Sequence, residues 1–140
     1  MGHSFIDHTA DVAADLDGAS LAELFASGAR ALSDTITDVS TLRPLVTAFV
    51  TLEAPTLEDL LVDWLNELLY VFEARNMLIC DARMTVAERD GRWHLDATVE
   101  GEPFDPGRHP YRVAVKSATY HGLHVGCEHG IWTARVVFDI

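Results

Sequence analysis

Residues 55–72 read PTLEDLLVDWLNELLYVF, and the fold class turns on this stretch. Pro55 stops whatever strand precedes it, and Thr56 with Asp59 three positions on has the spacing of a helix N-cap. Leu57, Leu60, Leu61, Trp64, Leu65, Leu68, Leu69 and Phe72 recur three and four residues apart, which makes one apolar helical stripe. Val62, Tyr70 and Val71 carry apolar character around the back. A helix that is apolar on more than one face has to be covered on more than one side. The stretch therefore predicts a helix enclosed between layers.

Upstream, the period changes to two over residues 45–53, with Val46, Ala48, Val50 and Leu52 on one side, as in a half-buried strand. Further back, Ser20 and Glu23 form a capping box. Leu21, Leu24, Phe25, Gly28, Leu32 and Ile36 then mark a first helix ending near Thr37. Val12, Ala14 and Leu16 alternate in a strand expected near residues 3–16, before a turn at Asp17-Gly18.

Downstream, residues 78–89 and 93–100 flank Asp90-Gly91, a strong hairpin signal. Residues 101–108 read as a long turn-rich loop. Strands are expected over 112–119, 120–128 and 131–140, the last two joined around His129-Gly130. This order argues α+β, with two helices packed against antiparallel sheets in a layered arrangement. At 140 residues, with apolar types making up 49% of the chain, residues 1–140 suffice for one domain with its own core.

The formal charge is −12, and protonating all seven histidines would leave the chain acidic. Such a surface repels phosphate backbones and anionic membranes, which weighs against tight RNA binding by the chain alone. No apolar run approaches the roughly 20 residues of a membrane-spanning helix. Met1-Gly2-His3-Ser4 lacks the basic region of a secretory signal, so a cytoplasmic location is expected. Cys80 and Cys127 supply neither a disulfide framework nor a CxxC motif.

His121, His124, Cys127 and His129 have a spacing reminiscent of zinc ligands. On an extended strand, however, His121 and His124 project to opposite faces and cannot share one ion without a bulge. No Gly-x-Ser-x-Gly elbow, phosphate-binding loop or dinucleotide fingerprint is present. Cys80, inside an apolar strand, reads as a packing residue. Carboxylates offer more. The side chain of Asp139 and the terminal carboxylate of Ile140 lie within one residue of each other, a costly arrangement unless a cation or solvent takes up their charge. Hard divalent ions such as calcium or magnesium favour such oxygens. Asp11 becomes a further ligand if the N-terminal strand ends beside the C-terminal one. The plain alternative is an acidic chain end in water.

Five blocks then carry a resemblance over essentially the full length: His8-Thr9-Ala10-Asp11-Val12, the run Asp63 to Tyr70, Gly101-Glu102-Pro103-Phe104-Asp105-Pro106 with His109, Lys116 to Leu123, and Arg135 to Ile140. Their order resembles that of the archease family. Ser117, where alanine is common, and Val12-Ala13-Ala14 are conservative departures. The resemblance implies a protein cofactor, not an enzyme, that activates an RtcB-type RNA ligase in tRNA splicing and RNA repair, promoting nucleotidylation and multiple turnover. It also implies a metal site at Asp11, Asp139 and the carboxylate of Ile140, with a divalent metal, calcium for preference. His8 is a candidate orienting group nearby. Two alternatives stand beside this reading. A small metal-dependent phosphohydrolase is disfavoured by the lack of an accompanying base or phosphate-binding cluster. A chaperone-like module would act on clients unrelated to the ligase.

Overall fold

A computed structural model of the chain describes residues 11–140. The elements are β1 (Asp11–Gly18), α1 (Leu21–Ile36), a 3-10 turn (Val39–Thr41), β2 (Val46–Ala54), α2 (Leu57–Arg75), β3 (Met77–Arg89), β4 (Arg92–Pro103), β5 (Ser117–Glu128) and β6 (Ile131–Asp139). The strands form two three-stranded antiparallel sheets, ordered β1-β6-β5 and β2-β4-β3. Each helix touches both sheets, and the helices pack on each other. This is the expected α+β architecture.

Local chemistry explains where the helices begin and end. The Glu23 N–H donates to Ser20 Oγ at 3.1 Å, and Glu23 Oε2 accepts from the Ala19 N–H at 2.8 Å. For α2, the Asp59 N–H donates to Thr56 Oγ1 at 3.0 Å. Helix α2 stops at Asn76, whose left-handed backbone (φ 56°) closes the last turn by donating to the Phe72 carbonyl. The Asn76 side chain and backbone then both bond to Phe104, tying the helix end to the chain after β4.

Leu57, Leu60, Leu61, Val62, Trp64, Leu65, Leu68, Leu69 and Val71 are all buried. At 100° per residue they sweep about 200° of the α2 circumference, more than one sheet can cover. Val62 and Val71 both lie inside, as the enclosed-helix reading requires, whereas Tyr70 is exposed on the solvent strip. Trp64 is fully buried, and its indole N–H donates to the Phe25 carbonyl at 2.9 Å, so its polar atom is satisfied within the core. The α1–α2 contact is close at Gly28, where a side chain would meet Leu65, Leu16 and Leu61.

Several strand boundaries differ from expectation. β1 continues through Asp17 and Gly18 as far as the pairing of Gly18 with Trp132. Residues 101–103 belong to β4, because β3 pairs with them up to Met77–Pro103. A bulge at Cys80 accompanies this pairing. There Gly101 approaches the Leu78 carbonyl so closely that any Cβ would collide with it. Of the strand expected over 112–119 only residues 117–119 form, as the start of β5. Arg112 instead donates from its backbone to the Ile36 carbonyl and from its guanidinium to the Asp34 carbonyl, so this segment satisfies its polar groups on the end of α1. β5 starts only at Ser117. The two turns fall where expected: Asp90-Gly91 and His129-Gly130 all have positive φ, as tight hairpins demand.

Leu65 has no exposed surface and packs where α1 and α2 meet. Leu65→Ala is expected to cost about 2–5 kcal/mol by leaving a cavity, read as a lower urea midpoint with an unchanged slope. A change within measurement error would contradict the enclosed placement of α2.

Candidate functional site

Strand pairing brings the two aspartates together. In the antiparallel ladder Asp11 lies directly opposite Asp139, and on the other side of β6 Ser117 also lies opposite Asp139. Residues directly opposite in such a ladder share a face, with Cβ atoms about 4.5–5.5 Å apart. The order Asp11, Asp139, Ser117 therefore crosses three strands on one face. The Lys116 N–H donates to the Asp139 carbonyl at 2.7 Å and extends the β5–β6 contact one residue beyond the strand. Lys116 is the chain's single lysine. Its backbone role at Asp139 has no local signature in the sequence.

Two carboxylates set opposite each other repel, and the same face shows how such charge is normally met. Four residues along, Asp15 is opposite Arg135, whose guanidinium donates to both carboxylate oxygens at 2.9 and 3.2 Å. That hydrogen bond and charge hold the Asp15 carboxyl below its ordinary range. Among the described residues Asp139 has no such counterpart, and its buried Oδ1 finds no hydrogen-bond partner there, while Asp11 is exposed. A buried, unpartnered carboxylate oxygen is costly unless something accepts its charge. The pair supplies hard oxygen donors open to solvent on the Asp11 side, a donor set suited to calcium or magnesium completed by water. Ile140 follows Asp139 directly and is half-buried. His8 lies outside the described residues.

The histidine cluster behaves differently. β5 loses register with β6 between Thr119 and His124, with Gly122 at φ 64°, so the assumption of a regular strand there does not hold. His121, His124, Cys127 and His129 are all exposed. Among the described residues no group of three or more His, Cys, Asp or Glu side chains is placed to hold a metal ion. Asp11 and Asp139 contribute two side chains. Cys80 sits half-buried at its bulge, where burial raises its thiol pKa.

Two three-stranded antiparallel sheets joined through two helices, with a carboxylate pair where the first and last strands meet, define a small α+β class. The sequence pattern of the Archease protein family (MTH1598/TM1083) matches residues 3–140. The protein archease of Methanopyrus kandleri is 36% identical over 135 residues, 96% of each chain. That of Methanosarcina acetivorans is 34% identical over 139 residues, covering 99% of this chain and 95% of its own. The solution structure of Methanobacterium thermoautotrophicum protein 1598 superposes with a TM-score of 0.78 at 31% identity, covering 96% of each chain. A Thermotoga maritima protein described as an archease, possible chaperone, shares the fold, with a TM-score of 0.58 at 19% identity. This chain belongs to the archease family.

A second polar centre lies on the other sheet. Glu102 and His109 are both buried, and His109 Nε2 is 2.7 Å from Glu102 Oε1. The Asp105 N–H donates to His109 Nδ1 at 2.9 Å, which leaves Nε2 as the donating nitrogen of a neutral imidazole. Arg43 adds its backbone N–H at 3.2 Å and two guanidinium contacts at 3.2 and 3.1 Å, and Arg108 also bonds Glu102. Burial pushes the Glu102 carboxyl up, but the bonds from His109, Arg108 and Arg43 outweigh it and hold the pKa at about 2. Sequence reading noted Glu102 and His109 only as parts of a block, because Arg43 arrives from the distant segment before β2. The arrangement ties the segment before β2 and the loop after β4 to β4 itself and keeps both carboxylate oxygens occupied. Because the folded pKa lies below the ordinary 4.5, its stabilisation is complete above that value and is lost as pH falls from about 4.5 towards 2. Glu102→Gln is expected to lose roughly 3 kcal/mol at pH 7, since Arg43 and Arg108 keep their charge without a counterpart. Urea midpoints of variant and parent should converge as the pH approaches 2. A constant gap would contradict this.

Proposed function

We propose that this protein is a cytoplasmic, non-catalytic activator of an RtcB-type RNA ligase in tRNA splicing and RNA repair, promoting ligase nucleotidylation and multiple turnover. We propose further that Asp11, Asp139 and the terminal carboxylate of Ile140 hold a divalent cation, calcium or another hard ion. Family membership supports the first statement. The single observation that carries the second is the buried, unpartnered Asp139 Oδ1 opposite Asp11.

A hard cation bound there would supply positive charge that offsets the facing carboxylates and an electrophilic centre able to take oxygen ligands from a partner. The protein's own residues do the rest. The β1–β6 pairing holds the two carboxylates side by side, and the Lys116 N–H fixes the main chain at Asp139. The −12 charge suits a partner with a basic RNA-binding surface, because complementary fields speed encounter. It also disfavours RNA binding by the activator alone.

The deciding experiment is a ligation time course with the cognate ligase and a sub-stoichiometric amount of this protein. Multiple ligase turnovers per activator are expected. Asp139→Asn and Asp11→Asn each remove a charge at nearly constant shape and should abolish most of that stimulation while leaving the fold intact. Extending the chain beyond Ile140 should also impair it. Calcium should raise the parent's melting temperature, with about 2.7 kcal/mol of stabilisation at a hundredfold excess over Kd, and should not raise that of either variant. No acceleration by the parent would overturn the activator reading, and equal protection of unrelated clients from aggregation would favour the chaperone-like alternative. If both variants stimulate like the parent, the activity lies on another surface.

A further inference from the structure

We infer that Asn66 of α2 is a positioning residue for the carboxylate site, acting through β5, an inference that rests on the metal reading above. β5 is an edge strand, and at the site it pairs with β6 only at Ser117, Ala118 and Thr119 before register is lost. Three pairs are little support for the strand that carries Lys116 and Ser117 against Asp139. The missing support comes from α2. The Ala118 N–H donates to Asn66 Oδ1 at 2.8 Å, and Asn66 Nδ2 donates to the Ala118 carbonyl at 3.1 Å. One carboxamide thus satisfies both outward-facing groups of an edge residue, as a neighbouring strand would.

A second contact follows the same line. Tyr120 Oη donates to Asp59 Oδ1 at 2.7 Å, and that bond to a carboxylate, with burial, raises the phenol to about 12. Asp59 and Asn66 are seven residues apart, two turns along one edge of α2. Residues 118 and 120 are therefore gripped at two points by a helix buried between both sheets. Ala118 lies opposite Phe138, the residue before Asp139, and Phe138 is fully buried. Asn66 consequently fixes how far β5 slides along β6, and with it the Lys116 N–H bond to the Asp139 carbonyl. An amide at this place does what aliphatic packing cannot, because it specifies the position of the strand along its axis.

The test compares full-length parent, Asn66→Ala and Ser33→Ala. Ser33 is a buried residue whose hydroxyl bonds the Ile79 carbonyl of the other sheet, so its loss destabilises the fold away from the site. Calcium titration by calorimetry and amide hydrogen exchange are read for each. Asn66→Ala should weaken calcium binding about tenfold or more. It should also speed exchange at Lys116 and Ala118 while leaving β4 amides protected. Ser33→Ala should lower the melting temperature without changing calcium affinity. Asn66→Asp keeps the acceptor for the Ala118 N–H and should retain slow exchange at Ala118 better than Asn66→Ala does. Equal calcium affinity in Asn66→Ala and parent, or loss of affinity in Ser33→Ala matching that in Asn66→Ala, overturns the inference. A parent that binds neither calcium nor, in a parallel titration, magnesium refutes the metal reading instead. The positioning role is then decided by exchange, with faster Lys116 exchange in Asn66→Ala supporting it and unchanged exchange overturning it.

Discussion

Helix α2 is apolar over too much of its circumference for a single sheet to cover, and its burial governs how the other elements are placed. Trp64, Leu65 and Leu61 sit at its centre with no exposed surface, and the helix touches β5 of one sheet and β2, β3 and β4 of the other. Covering one helix from two directions holds both sheets in a common frame. Its polar edge then has structural work of its own. Asp59 and Asn66 reach β5, while Asn76 at its end reaches Phe104.

Within that frame, the carboxylates of Glu102 and Asp139 have opposite surroundings. Glu102 accepts from Arg43, Arg108 and His109, and its charge is matched several times over. Such a group stabilises because breaking it leaves buried charge behind, and its chemistry is spent on holding loops together. Asp139 is half-buried, faces another aspartate and leaves Oδ1 without a partner among the described residues. Proteins seldom leave a polar atom in that condition without a ligand or a function to account for it. The contrast with Asp15, four residues along the same face and paired with Arg135, places the anomaly at the strand ends.

The same contrast bears on the kind of activity a small acidic protein can have. A carboxylate pair where β1 meets β6 presents charge and oxygen donors on an antiparallel ladder. The activator proposed above would present these groups to its partner. In the proposed role, the strong negative charge of the chain would supply long-range attraction to a basic partner, and the strand ends the local chemistry.

The sequence by itself determined the elements that depend on near neighbours. The caps at Ser20 and Thr56, the broad apolar girth of α2 and the Asp90-Gly91 and His129-Gly130 turns are all set by residues within a few positions of each other. It also named Asp11 and Asp139 as a candidate pair, conditional on adjacency of the terminal strands. Tertiary structure alone decided that adjacency, along with the sheet orders and the exact opposition of the two aspartates, because strand pairing joins residues from opposite ends of the chain and leaves no local signal. The same reason hid the Asn66–Ala118 clamp and the meeting of Arg43 with Glu102. Residues 112–116 were expected to be part of a strand over 112–119. They were diverted because the end of α1 offered carbonyls to Arg112, and backbone groups take whichever partner the packed chain brings within reach.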